Sequence, residues 1–373
     1  MPEPSATAGI PLVDLGAQHR QIAREVVAGF EKVMSATSFV LGDEVDGFEQ
    51  EFARYCGTAR CVSVANGTDA IELALRAAGV VAGDEVVIPA NTFIATAGAV
   101  ERAGARPVLV DVDPDYHLMD VAKMAGRLGP GVRAVVPVHL YGQQAPVEAI
   151  RAALDGSGAV MVEDAAQAQG AVRHGVGIGG AGLAAATSFY PGKNLGAYGD
   201  AGAVVTDSDE IAERLLRLRN HGTESKYEHV EVGFNSRLDT LQAVVLRAKL
   251  ARLAGWNEAR RAAARRYDDL LAGLPGVRLP ATMAGNEHVF HLYVVRVPDR
   301  DRVLGELHAA GIGAGIHYPR PVHLHRAYRH LGYGPGDFPV AEAAAGEILS
   351  LPLFPEITPD QQERVAKAVA LAL

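Results

Sequence analysis

Two cysteines, Cys56 and Cys61, are all that 373 residues contain. That excludes a disulfide framework, and two sulfurs cannot furnish a four-thiolate metal site. An excess of positive charge is missing as well. The net charge of −9 argues against nucleic acid or an anionic membrane surface as the main partner. It leaves a phosphorylated small molecule open, because a local pocket decides that. No run of about 20 apolar residues occurs, so nothing reads as a membrane span. The opening Met-Pro-Glu-Pro-Ser-Ala-Thr-Ala-Gly lacks the basic-then-apolar order of a signal peptide. Neither an internal repeat nor a low-complexity linker interrupts the sequence. The expectation is a cytoplasmic protein with reduced thiols.

What is present is an ordinary globular composition, and the length allows roughly two domains. Gln18 to Met34 and Asp43 to Tyr55 carry helical apolar spacing, with Ile22, Val26, Phe30 and Val33 on one face of the first. From Cys61 onward short apolar runs alternate with helical pieces. Strands are expected at 61–65, 85–89, 107–112, 134–138, 160–163, 184–190 and 203–206. This rhythm predicts an α/β fold with a mostly parallel sheet between helices. A long helical region over 238–270 is expected to break or bend near Gly255-Trp256. Beyond it, a strand over 288–297 and helices over 300–310, 341–349 and 359–372 suggest a smaller α+β domain. The division is placed at 1–252 and 253–373.

Ligands of such sheets sit at the carboxyl ends of the strands, and three features fall there. Asn66-Gly67-Thr68 joins a strand to a helix whose first N–H groups are unpaired, a place suited to phosphate. Taken alone it is a weak signal, since Asn-Gly also makes plain turns. Val160-Met-Val-Glu-Asp164 ends a buried strand in two carboxylates. Asp164 there either caps the following residues or meets a protonated aromatic nitrogen. Thr187 to Gly202 presents Lys193 after a Pro-Gly turn among small and apolar residues. A desolvated lysine favours its neutral amine, the form that attacks an aldehyde to make a Schiff base. Together the three supply the handles that hold pyridoxal 5′-phosphate. Gly177 to Gly182 satisfies the dinucleotide Gly-x-Gly-x-x-Gly pattern, but a strand follows it instead of a helix, so it reads as a turn. His317, His323 and His325 lack the spacing of a zinc site, and no metal is expected. His139 ends an apolar strand and reads as structural.

The sequence resembles the DegT/DnrJ/EryC1/StrS family of sugar aminotransferases from Pro11 to the last helix. The matching stretches are Ala65-Asn-Gly-Thr-Asp-Ala70, Pro89-Ala-Asn-Thr-Phe93, Val138-His-Leu-Tyr-Gly142 and Val162-Glu-Asp-Ala-Ala-Gln167. Ser188-Phe-Tyr-Pro-Gly-Lys193, Asn235-Ser-Arg-Leu-Asp239 and His317-Tyr-Pro-Arg-Pro-Val-His323 follow in the same order. The resemblance implies a type I, aspartate-aminotransferase-like fold and a homodimer with shared active sites. It implies that Lys193 bonds the cofactor and later moves protons. Asp164 is then the partner of the pyridine nitrogen, Gln167 of the ring hydroxyl, and Phe93 stacks on the ring. Gly67, Thr68 and Ser188 are implied phosphate contacts, with Asn235 reaching in from the other subunit. Tyr190, Arg237, His317, Tyr318 and His323 are implied substrate contacts, the last four donated across the dimer.

The reaction implied is transfer of an amino group from L-glutamate, with glutamine as second choice, to a nucleotide-linked keto-sugar. The motifs favour a dTDP-3-keto-6-deoxyhexose. Relatives acting on 4-keto-sugars, UDP-3-keto-uronic acids or keto-inositols share most of these stretches. A sugar dehydratase of the same fold usually replaces the lysine with histidine, and Lys193 speaks against it. A regulator that binds the cofactor without turnover is the alternative from another class.

Overall fold

The computed structural model describes residues 9–373. All but one of the residues read for a signal peptide lie outside that range. Two helices come first, α1 (Leu15–Ala36) and α2 (Asp43–Cys56). α2 shows why these ends are where they are. Asp43, Glu44 and Asp46 sit in its first turn, where the helix dipole favours negative charge, and Gly57 ends it in the left-handed conformation at φ 75°.

The sheet that follows has seven strands. They are β1 (Arg60–Val64), β2 (Glu85–Pro89), β3 (Arg106–Val110), β4 (Val132–Val135), β5 (Val160–Asp164), β6 (Ala184–Ser188) and β7 (Gly202–Thr206). Their order across the sheet is β1-β7-β6-β5-β4-β2-β3. Only β7 runs against its neighbours. The connections carry α3 (Gly67–Ala77), α4 (Ile94–Arg102), α5 (Val121–Ala125), α6 (Val147–Leu154) and α7 (Asp209–Arg219). One apolar cluster fills one face, with Leu73, Ile88, Val100 and Leu215. A second lies against the other, with Phe48, Phe52, Phe189 and Leu246. These strands read as continuous apolar runs because both faces are covered.

The long helix α8 (Thr240–Leu271) is unbroken through Gly255 and Trp256, which corrects the expected break. A single glycine costs a helix interior about 1 kcal/mol. That cost is offset by burial on both sides of it. Leu246, Leu250 and Leu253 pack in the cluster beside the sheet, and Ala264, Tyr267 and Leu271 in a C-terminal one. Trp256 is itself buried and donates its indole N–H to Gln21.

The C-terminal part is built on β8 (Tyr293–Arg296) and β9 (Ile348–Leu351), paired antiparallel. Around them lie α9 (Arg300–Ala309), α10 (Pro339–Glu347) and α11 (Pro359–Ala372). Two expectations change here. The strand expected over 288–297 starts only at Tyr293. His288 to Leu292 forms a turn, with Phe290 at φ 42° and Val289 N–H bonded to the Gly142 carbonyl. The helix expected over 341–349 ends at Glu347, because Ile348 and Leu349 pair with Arg296 and Val295. The start of the described residues also joins this part. Ile10 bridges to Ile312 and is buried in the C-terminal cluster. Among the described residues no helix is long and apolar enough to cross a membrane.

Phe48 packs edge-on against Phe189, which flanks the Lys193 turn, at a ring distance of 5.3 Å, and is fully buried. Phe48→Ala is expected to cost about 3–5 kcal/mol of stability. Chemical denaturation of the purified variant reads this directly.

Candidate active site

The strand ends that face one way open onto a cavity of about 480 Å³. Its floor is the sheet's carboxyl edge, and its roof is the C-terminal part together with Leu12 and Val13. Of the predicted residues, Gly67, Thr68, Phe93, Asp164, Gln167, Ser188, Tyr190, Lys193, His317 and Tyr318 all line it.

α3 begins at this edge. Asn66 caps it, its side chain accepting the Asp69 N–H at 2.9 Å. The N–H groups of Gly67 and Thr68 have no partner inside the helix and open toward the cavity. Two glycines make this approach possible. A Cβ on Gly67 would lie 2.5 Å from the Ser188 Cβ, and one on Gly202 would lie 2.4 Å from the Asn66 carbonyl oxygen. The strand-to-helix turn is thus pressed onto Ser188, so that backbone donors and a hydroxyl share one small cup.

Asp164, buried at the end of β5, receives two protein donors. Thr96 Oγ1 donates at 2.7 Å, and the Ala166 N–H at 3.1 Å. Thr92 Oγ1 lies 2.6 Å from Thr96 Oγ1. Since Thr96 spends its proton on the carboxylate, Thr92 is the donor of that second bond. Burial pushes the Asp164 carboxyl up, while the Thr96 and Ala166 bonds and then the Lys193 charge pull it down. A carboxylate has more lone pairs than these two donors use, so it is ready for a third donor from the cavity.

Its neighbour Glu163 points elsewhere. It accepts the Gly182 N–H at 2.7 Å, the Gly179 N–H at 3.1 Å and the His139 ring at 2.8 Å. His139 Nδ1 accepts the Ala145 N–H, so Nε2 carries the ring proton to Glu163. The Gly177 to Gly182 loop therefore serves a buried carboxylate.

Lys193 lies partly buried in the cavity wall, and its amine makes no hydrogen bond or ion pair among the described residues. Burial pushes its pKa down to about 8, against the pull of Asp164. Gln167 is held at both ends. Its Oε1 accepts the Tyr141 N–H at 2.7 Å, and its Nε2 donates to the Tyr318 hydroxyl at 3.1 Å. The Phe93 ring lies 5.1 Å from that of Tyr318 and is half exposed. The His317 ring bonds Ser350 Oγ at 2.8 Å, and burial holds its pKa down at about 4, so it is neutral at physiological pH.

His317 and Tyr318 stand beside Lys193 of their own chain, where donation from a partner subunit was expected. The reason is local. Gly315 pairs with Ser350 on β9, the Tyr141 hydroxyl bonds the His317 carbonyl at 2.5 Å, and Val322 N–H bonds the Ala90 carbonyl. His323 does not reach the cavity. It is buried against Phe338 and bonds Glu342 at 3.0 Å. Arg237 donates to the Asn220 side chain, and Asn235, exposed, bridges to Asn220. Both stand outside this chain's cavity.

Among the lining residues that escaped the reading of the sequence are Thr96, His291 and Leu12. Thr96 was signalled by its position four residues after Thr92 at a helix start, the spacing that stacks two side chains. His291 and Leu12 carried no signal, because each arrives from a distant part of the chain.

A group with an acidic ring N–H, a phosphate and an aldehyde fits these residues, as the open lone pairs of Asp164, the bare donors at Gly67 and Thr68 and the unpaired Lys193 amine show. Comparison with known proteins agrees. The model of the DegT/DnrJ/EryC1/StrS aminotransferase family matches residues 20–370. The chain is 46% identical over 356 residues to the erythromycin biosynthesis sensory transduction protein EryC1 of Saccharopolyspora erythraea, covering 95% of this chain and 97% of that one. It is also 46% identical over 363 residues to the dTDP-3-amino-3,4,6-trideoxy-alpha-D-glucose transaminase of Streptomyces venezuelae, covering 97% and 96%. The crystal structure of S. venezuelae DesV in complex with a ketimine intermediate superposes with a TM-score of 0.96 at 46% identity over 98% of each chain.

A lysine whose pKa is depressed on folding costs stability, fully so below its folded value and not at all above its unfolded one. Lys193→Met is therefore expected to raise the melting temperature of the cofactor-free protein by a few degrees at pH 7. The gain should shrink between about pH 8 and the ordinary lysine range. Calorimetry across that window checks the sign.

Proposed function

This chain belongs to the DegT/DnrJ/EryC1/StrS aminotransferase family of pyridoxal-phosphate-dependent enzymes, and from that premise we propose that it moves an amino group from L-glutamate to a nucleotide-linked keto-sugar. A dTDP-3-keto-6-deoxyhexose is the acceptor this reading favours, because a relative covered almost end to end is a dTDP-3-amino-sugar transaminase. The observation that carries the reading is the unpaired Lys193 amine in one cavity with Asp164 and the α3 start.

Each residue then has a task. The Gly67 and Thr68 N–H groups and the Ser188 hydroxyl hold phosphate at the positive end of α3. Asp164, with Thr96 donating to it, keeps a proton on a ring nitrogen by stabilising the ion pair. Gln167 presents its second amide hydrogen to the ring hydroxyl, and Phe93 covers one ring face. When bound, pyridoxal phosphate supplies an electron sink for the carbanion that proton removal creates. Lys193 takes the proton from one carbon and returns it to another, as a base whose pKa lies near the working pH. Tyr190, His317 and Tyr318 ring the opening where a sugar would enter.

A homodimer with shared sites is part of this reading. It is supported by the exposure of Phe93 and Tyr190 at the cavity rim, and by Asn235 and Arg237 standing outside their own cavity. His323, buried against Phe338, would then act on the loop that bears His317 and Tyr318 without touching the sugar. We also place the division between the cofactor-holding part and the C-terminal part at 252/253. It stands close to the changeover along α8, which falls between Leu253 of one core cluster and Ala263 of the next. A cytoplasmic setting agrees with two buried free cysteines.

The first test is a visible absorbance spectrum. The purified protein is expected to be yellow, to bleach on addition of L-glutamate, and to regain colour with the keto-sugar. Lys193→Ala should show no bleaching. A protein that stays colourless with added pyridoxal phosphate would sink the reading. A mixing test addresses the dimer. Lys193→Ala and Asn235→Ala chains, each inactive alone, should regain about a quarter of wild-type activity when refolded together, since random pairing in a two-fold dimer rebuilds one site in half the dimers. No recovery would mean that each site is built from one chain.

A further inference from the structure

Asn257 stands behind the cavity wall, buried on the stretch of α8 between the two core clusters. Asparagine is a poor residue for a helix interior, and burying its amide costs stability unless both ends are bonded. Both ends are bonded here, and neither bond returns to α8. Its Oδ1 accepts from Asn194 Nδ2 at 2.9 Å, and its Nδ2 donates to the Gln169 carbonyl at 2.9 Å. A backbone carbonyl only accepts, so the amide cannot be turned over. Gly170, at φ 89°, leaves room for it, since a Cβ there would lie 2.6 Å from Asn257 Nδ2.

The two partners belong to different parts of the site. Asn194 follows Lys193 and is buried without lining the cavity. Its second amide hydrogen goes to the Val289 carbonyl at 3.0 Å, and His291 Nδ1 lies 3.3 Å from its Oδ1. Gln169 closes the loop after β5, where the Ala166 N–H donates to Asp164 and Gln167 lines the cavity. The Gln169 side chain goes on to β6. Its Nε2 lies 2.8 Å from the Ser188 carbonyl, 2.9 Å from Thr187 Oγ1 and 3.1 Å from the Ala166 carbonyl. One helix side chain is thus joined to the neighbours of Lys193, Asp164 and Gln167, and to Ser188 itself.

We propose that Asn257, which touches none of the reacting groups, is a positioning residue that sets the lysine turn against the loop over 165–169. The two segments follow adjacent strands. Past the Ala165 N–H on the Ala186 carbonyl, no backbone–backbone bond joins them among the described residues. Asn257 makes that connection from the side. The lysine's reach is only as accurate as the placement of its backbone, and a misplacement of about 1 Å can cost a hundredfold in rate. This consequence for rate rests on the aminotransferase reading, whereas the joining of the two segments does not.

The test compares Asn257→Ala, which removes both bonds, with Asn194→Ala, which frees the lysine turn and leaves Asn257 on the Gln169 carbonyl. Hydrogen–deuterium exchange of the full-length protein, read by mass spectrometry, needs no substrate. The Ala168, Ala171 and Lys193 N–H groups are each bonded locally and report on the two segments. Asn257→Ala should speed exchange about tenfold both over 166–171 and over 189–195. Asn194→Ala should speed it over 189–195 alone, and peptides of α3 should be unchanged in both variants. The second measurement is single-turnover bleaching with L-glutamate. Asn257→Ala should slow it about tenfold with glutamate affinity within about twofold, a split that a general loss of stability would not give. If Asn257→Ala does not fold, Asn257→Ser, whose hydroxyl is too short to span both partners, is read in its place. Exchange that fails to rise in both segments, or rises equally in every peptide, would overturn the proposal. So would faster exchange in both segments with an unchanged bleaching rate. If the wild type itself does not bleach with glutamate, the aminotransferase reading fails, while the exchange pattern still judges Asn257.

Discussion

Two ionisable groups of opposite sign are withdrawn from water at one edge of a sheet, and the surrounding structure manages that cost. Burial pushes Asp164 toward its neutral acid and Lys193 toward its neutral amine. Each pulls the other back toward charge. The balance suits a lysine that has to exchange protons near neutral pH and a carboxylate that has to stay ionised. Thr96 and the Ala166 N–H settle the carboxylate's side. Among the described residues Lys193 is left without a fixed partner, which keeps its amine available.

The arrangement depends on how closely backbones approach. β1, β6 and the reversed strand β7 meet at Val64, Ser188 and Gly202. Glycine at 67 and 202 allows Asn66 to sit against both neighbours, which sets the α3 start over Ser188. A helix start is a common feature. Here it becomes an anion site because two more groups are pressed against the same few ångströms. The strand pairing of Asp164 with Ala186 then fixes the distance from that cup to the carboxylate.

The C-terminal part contributes differently. Its residues reach the cavity through loops tied at single points, such as the Tyr141 hydroxyl on the His317 carbonyl and the Asn194 amide on Val289. These ties couple the roof to the residues that grip Gln167 and flank Lys193. Motion of the roof would be felt by the groups that handle protons. α8 and the buried Ile10 make the two parts share cores, so the roof cannot move far as an independent body.

The apolar runs and their alternation with helices determined the α/β class, because a strand covered on both faces and a helix covered on one leave different periods in the chain. Lys193, Asp164 and the Asn66-Gly67-Thr68 turn were legible for a chemical reason: polar groups placed at the ends of apolar strands have few uses. The alternation of strand and helix did not reveal β9, since Ile348 to Leu351 continues an apolar helix face and only its pairing with β8 makes it a strand. Nor did it reveal that α8 runs through Gly255, where packing at both flanks outweighs local propensity. His317 and Tyr318 reach their own chain's cavity only through contacts with residues well removed along the chain, Ser350, Tyr141 and Ala90. Sequence alone determined which chemical groups this protein has and the local elements that carry them, because those follow from short-range pattern. Tertiary structure decided which of the groups face one another and in what protonation state, because distance and burial are properties of the folded chain.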